Sequence, residues 1–173
     1  MQTYKGFLTH NQMTQKNYPF KLKSFVLFAS FLFCTLNTFS QTDNPEYDKA
    51  LADSLKGDDY GMKAYILVIL KTGTNAIEKK ETRDSLFKGH IRNINRLASL
   101  GKLVVAGPLG KNDKSYRGIF ILNVKTTEEA NELLATDPAI KEKMLDAELF
   151  KWYGSAALPE YLKIHRKIER KKM

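Results

Sequence analysis

GHIRNINRLASLGKLVVAGPLG, Gly89–Gly110, decides the fold, because within this one stretch a helix ends, a strand begins and a glycine–proline pair interrupts it. At helical spacing Phe87, Ile91, Ile94 and Ala98 line up as an apolar stripe, and Lys88, Arg92 and Arg96 project from the opposite side. His90 falls beside the stripe, turned toward a sheet. Asp84 or Thr82 can cap the start and Gly101 suits a left-handed C-terminal cap, so the spacing predicts a helix over Asp84–Leu100. The strand is read as Leu103–Ala106, with Gly107-Pro108-Leu109 as its break.

Upstream, MKAYILVILK (Met62–Lys71) is a nearly continuous run of β-formers, the pattern of a central strand buried on both faces. Downstream, GIFILNV (Gly118–Val124) reads as a third strand. Thr126 followed by Glu129 has capping-box spacing, so a second helix, EEANELLAT, begins there and stops at Asp137-Pro138. A short helical turn to Met144 and a last strand, Ala147–Tyr153, complete the order βαββαβ. That order is the split βαβ, ferredoxin-like α+β fold: an antiparallel four-stranded sheet with two helices on one face. The other face of an apolar strand such as YILVIL then needs a cover, which pairing with a second sheet would supply.

Right-handed crossovers bring the start of the first helix, the turn after the second strand and the end of the second helix to one edge of the sheet. His90, the Gly107–Asp113 loop and Asp137 therefore converge. A histidine beside a carboxylate suits general acid–base chemistry, since the carboxylate fixes the tautomer of the imidazole. Backbone amides around Gly107 and Gly110 can hold a substrate oxygen. Each residue also has a plain structural reading: His90 as a core-edge side chain bonded to a carbonyl, Asp137 as a helix-ending turn residue, Asp113 as a surface turn residue.

The flanks set the class of protein. Residues 1–40 contain no acid, carry Lys21 and Lys23 before an apolar run from Phe25 to Leu36, and end in Thr38-Phe39-Ser40, the layout of a secretory signal peptide. The run is short for a bilayer span, although an uncleaved N-terminal membrane anchor is the alternative. Met13 is an alternative start to Met1. Export implies a periplasmic or secreted protein. Cys34 is the single cysteine and lies in this leader, so the remaining chain has neither a disulfide nor a thiol nucleophile. Residues 41–61 read as an acidic lead-in or linker, 62–155 as the domain, and 156–173 as an extension ending in KIHRKIERKKM.

The formal charge of +9 is a property of the ends: residues 41–162 balance at 18 basic against 18 acidic side chains. A basic tail without interleaved aromatics is no nucleic-acid platform, and it reads as a solvated helix end or a weak contact with an anionic envelope surface. His90 is the one histidine in the body of the domain, and no paired-ligand spacing accompanies it, so no metal site is expected.

The HIxxxxxLxxxGKLxxAGPLG pattern around His90, the GIFIL strand and TDPAIKEKM at Asp137 together resemble the YCII-related (YciI-like) family over roughly Met62–Tyr153. The resemblance implies a ferredoxin-like fold paired as a dimeric α+β barrel, and a histidine–aspartate active site. It carries the histidine onto His90, the turn onto Gly107, Pro108 and Leu109, and the aspartate onto Asp137 or Asp113. The expectation is a small, cofactor-free, homodimeric acid–base enzyme of lyase or isomerase type, acting on an aromatic or lactone-like molecule. A module of the same fold that binds a small ligand or the envelope without chemistry is the alternative.

Overall fold

MKAYILVILK forms the central strand: Ile66, Val68 and Leu70 enter the packed layer under the helices, while on the opposite face Tyr65 is buried and Leu67 and Ile69 are half-buried. A computed structural model describes residues 44–171. The expected signal peptide over 1–40, its membrane-anchor alternative and the choice between Met1 and Met13 lie outside those residues. From Asp48 onward the chain makes one unit. It opens with a short helix, α1 (Lys49–Leu55), capped by the Asp48 carboxylate, and β1 (Met62–Thr72) follows. Helix α2 (Lys80–Ser99) leads through Gly101, at a φ of 68°, into β2 (Leu103–Pro108) and β3 (Tyr116–Leu122). Helix α3 (Thr127–Leu134) and the one-turn α4 (Pro138–Lys141) precede β4 (Leu145–Ser155).

The sheet order is β2-β3-β1-β4 and every neighbouring pair is antiparallel. Strands β1 and β2 therefore run parallel with β3 between them, the split βαβ arrangement. Ile66, Val68 and Leu70 of β1 face the helices and form the main core with Phe120, Leu122, Leu97 of α2 and Leu134 of α3. Truncating Leu97, fully buried here, to alanine would cost about 2–5 kcal/mol. On the opposite face Tyr65, Val104 and Ile121 form a second cluster with Leu67 and Trp152. One end of that face is covered by the chain's own extension, a 3-10 turn (Leu158–Glu160) and α5 (Tyr161–Ile168). Leu158 packs into the cluster, and the Tyr161 hydroxyl donates to the Val104 carbonyl at 2.6 Å. Phe150 of β4, paired with Leu67, is left exposed.

Three local expectations are corrected. Helix α2 begins at Lys80 and not at Asp84; its N-cap is Lys79, with no side-chain cap bond, and Asp84 is instead paired with Lys80 one turn back. Its buried face is Gly89, His90, Asn93 and Leu97, turned by about 110° from the Phe87–Ile91–Ile94–Ala98 stripe on a helical wheel. Polar contacts and a close approach at Gly89 join Leu97 and the half-buried Ile94 in seating the helix, so the stripe borders the buried face instead of forming it. Finally, Gly107 and Pro108 continue β2, paired with Ile119 and Gly118. Proline is tolerated because β2 is an edge strand with nothing beyond it to accept an N–H. The chain turns only after Leu109.

Candidate active site

Asp137 follows α3 and caps α4. Its φ and ψ of −87° and 118° are extended, Pro138 supplies the fixed φ of the first helical position, and Asp137 Oδ1 accepts from the Ala139 amide at 2.9 Å. This local cap fixes the carboxylate plane and leaves Oδ2 pointing at α2. There His90 Nδ1 and Asp137 Oδ2 are hydrogen-bonded at 2.6 Å. The aspartate is 0% exposed and the histidine 6%. A short, charge-assisted bond between two enclosed groups is among the stronger hydrogen bonds a protein makes.

The two elements can approach this closely because residue 89 is glycine. A Cβ at Gly89 would stand 2.5 Å from Pro138 Cγ, inside any tolerable contact. One turn further along α2, buried Asn93 holds the residue before the aspartate. Its Oδ1 accepts from Arg96 Nη2 at 2.8 Å and lies 3.0 Å from the Thr136 hydroxyl, and Arg96 Nη2 also donates to Thr136 Oγ1 at 2.6 Å. The loop carrying Asp137 is thus clamped to α2 on both sides of the carboxylate, by Asn93 and Arg96 before it and by Gly89 and Pro138 after it.

The imidazole lies between two aromatic rings. Phe120 of β3 stacks with it at 5.9 Å between centroids and 22° between planes, and Phe87, one turn back on α2 and 57% exposed, stands at 6.2 Å. An ionised carboxylate only accepts, so the bond to Asp137 puts the ring proton on Nδ1. Among the described residues Nε2 has no hydrogen-bond partner. Among the described residues no buried side-chain nitrogen or oxygen lacks one, so Nε2 sits where the small exposure of His90 lies. Such an arrangement can transfer a proton, with one nitrogen bonded to a carboxylate and the other at the exposed edge of the ring.

Of the residues expected to converge, His90 and Asp137 are joined by a hydrogen bond. Asp113 is exposed in the loop between β2 and β3, a turn organised by its neighbour Asn112, whose Oδ1 accepts from the Lys114 and Tyr116 amides. No hydrogen bond or ion pair joins Asp113 to His90. The Leu109 amide donates to the Arg117 carbonyl at 2.9 Å and is therefore committed to the strand pair. Pro108 and Leu109 are exposed at the end of β2, the strand whose Ala106 pairs with Phe120. Asn93, Thr136, Arg96, Phe87 and Phe120 were not singled out from the sequence; the one available signal was Asn93, a helical turn after His90 on the same face. Among the described residues no group of three or more His, Cys, Asp and Glu side chains gathers as a metal site would require.

The family model for the YCII-related domain matches residues 64–152, a span that includes both His90 and Asp137. A search of curated proteins finds no match. Among solved structures the chain is similar to 5-chloro-2-hydroxyhydroquinone dehydrochlorinase (TftG) from Burkholderia phenoliruptrix AC1100, in complex with 2,5-dihydroxybenzoquinone. The identity is 19% and the TM-score 0.37, and the match covers 50% of this chain and 92% of that one.

Proposed function

Since the chain belongs to the YCII-related domain family, we propose that it is a small acid–base enzyme whose reacting group is His90 Nε2 and whose substrate is a small organic molecule, an aromatic ring or a lactone. The observation that carries this reading is the buried bond from His90 Nδ1–H to Asp137 Oδ2, with Nε2 left open. In the proposed step Nε2 accepts a proton from the substrate, and Asp137 stabilises the imidazolium that forms. The imidazolium then returns the proton to another substrate atom or to a leaving group. Such a transfer needs no cofactor. Phe87 offers an apolar surface on which a flat ring can lie next to Nε2, while Pro108 and Leu109 are proposed to contribute apolar contacts from the end of β2.

The same reading includes a dimer and export. The sheet face around Leu67, Ile119, Ile121 and Phe150 is the proposed seat of a second copy, and residues 1–40 the proposed signal peptide. The test is a turnover screen against hydroxylated aromatic rings and lactones with the wild-type chain, His90→Ala and Asp137→Asn. The reading expects turnover by the wild type, reduced by about 10²–10⁴-fold in His90→Ala with an unchanged circular dichroism spectrum. Equal turnover by both chains would overturn it. Saturable binding of a screened compound with no product would replace the enzyme by a binding module.

A further inference from the structure

Helix α5 (Tyr161–Ile168) has a docked end and an undocked end. At its start the Tyr161 hydroxyl is bonded to the Val104 carbonyl, Leu162 is half-buried, and the preceding Leu158 is packed into the sheet face. Further along, Ile164 and Ile168 stand 64% and 74% exposed. They are one turn apart and share one side of the helix. Exposed Lys163, His165, Arg166 and Lys167 flank that side, and Arg170 and Lys171 follow. Lys163 is paired with Glu160, and Glu169 is the one acid beyond it. Residues 41–162 are balanced in charge, so the positive excess of the chain beyond its leader lies on this helix and the residues that follow it.

We propose that α5 is an interfacial helix that rests on an anionic lipid surface, with Ile164 and Ile168 entering the headgroup boundary and the flanking Lys and Arg side chains binding the anionic headgroups. An apolar stripe bordered by basic residues is the composition that binds at this boundary, where each half supplies what the other lacks. Tyr161 and Leu158 hold the helix on the domain before contact, so it meets the surface already formed. The alternatives fit less well. Two copies meeting through this stripe would set basic side chains against basic side chains. A nucleic acid would engage the basic flank and leave both isoleucines in water.

The test is cosedimentation of the full chain with vesicles of phosphatidylcholine alone and of equimolar phosphatidylglycerol and phosphatidylcholine. It compares the wild type with Ile164→Ser/Ile168→Ser and with Lys167→Glu/Arg170→Glu. Any contribution of the apolar run at Phe25–Leu36 is common to all three chains and is read from the neutral vesicles. The expected result is stronger binding to the anionic vesicles by the wild type, with that increment weakened by about tenfold or more in each double variant. Equal binding to both vesicle types would overturn the proposal. So would an increment that survives the serine variant, which would reduce the contact to non-specific charge attraction. A serine variant that dissociates an oligomer in light scattering while still binding anionic vesicles would assign the stripe to a second copy and likewise overturn it.

Discussion

Asp137 uses its two oxygens for different purposes: Oδ1 caps α4 through the Ala139 amide, and Oδ2 accepts from His90. Asparagine can keep the first role and not the second, because its Oδ1 still accepts but its amide nitrogen is a donor. Asp137→Asn is therefore expected to lower turnover by about a hundredfold or more while leaving α4 in place. The same variant loses a charge-assisted bond in a buried site, worth about 1.5–3 kcal/mol in urea denaturation. Asn93 acts on the same carboxylate from a distance, by holding Thr136 and Arg96. Asn93→Ala leaves the Thr136 hydroxyl and the Arg96 guanidinium without that acceptor, and a loss of about 1–3 kcal/mol is expected from chemical denaturation. An unchanged midpoint would show that Thr136 is held without Asn93, by its bonds to the Leu133 carbonyl and to Arg96.

Helix α2 shows how an element can be located from its sequence while its orientation is read only in part. Its existence, the Gly101 stop and the strand that follows were all legible, because they rest on local turn chemistry and on runs of β-formers. Of its buried face only His90 was read as turned toward the sheet. Gly89 and Asn93 beside it were not, because a glycine or a polar side chain on a helix reads as solvent-facing until its partner is known. The partner of His90 lies 47 residues away and that of Asn93 lies 43, beyond any local pattern. Asp137 could be named as a candidate because the crossover topology brings the end of the second helix to the edge where His90 lies, with Asp113 as the weaker choice; the bond to His90 singles out Asp137. Gly107-Pro108 misled for a related reason, since an edge strand tolerates a proline that a central strand would not. Gly89→Ala tests the close packing of α2 on α4. Alanine would gain about 1 kcal/mol in helix propensity, but its Cβ meets Pro138, and overpacking of this kind costs about 1–3 kcal/mol. The expected outcome is a net loss of stability, read from the thermal midpoint, together with reduced turnover as Pro138 and the adjoining carboxylate are pushed aside.

At the scale of the whole molecule the flanking segments are tied to the sheet at several points, among them the extension after β4 through Tyr161 and the lead-in through Asp58, which accepts from the Tyr153 hydroxyl of β4. The Tyr153 bond and the Met62 amide lower the Asp58 carboxyl from its ordinary 3.8, and the same carboxylate pushes the Tyr153 hydroxyl up to about 12 from its ordinary 10.0. A lowered acid stabilises the fold above its unfolded pKa and loses that contribution as pH falls through the folded value. A raised tyrosine stabilises below 10.0 and loses its contribution as pH rises toward about 12. Tyr153→Phe is therefore expected to differ from the wild type in denaturation midpoint at neutral pH, and to converge with it at both strongly acidic and strongly alkaline pH. A difference independent of pH would remove the bond from the account. The open sheet face makes a separate prediction at this scale. A dimer burying about 800 Å² per partner is expected in size-exclusion chromatography with light scattering. Phe150→Lys should convert it to a monomer with an unchanged circular dichroism spectrum, and a wild-type monomer at micromolar concentration would exclude the paired-sheet barrel.

The central claim is that Asp137 holds the proton of His90 on Nδ1 and leaves Nε2 free to react. A long-range ¹H–¹⁵N correlation spectrum of the imidazole ring at mildly alkaline pH reads this directly, because protonated and unprotonated ring nitrogens resonate far apart. The account predicts a single tautomer with the proton on Nδ1 in the wild type, giving way to a mixture or to the Nε2-protonated form in Asp137→Asn. A wild-type ring that carries its proton on Nε2, or a spectrum that the Asp137→Asn substitution leaves unchanged, would contradict it.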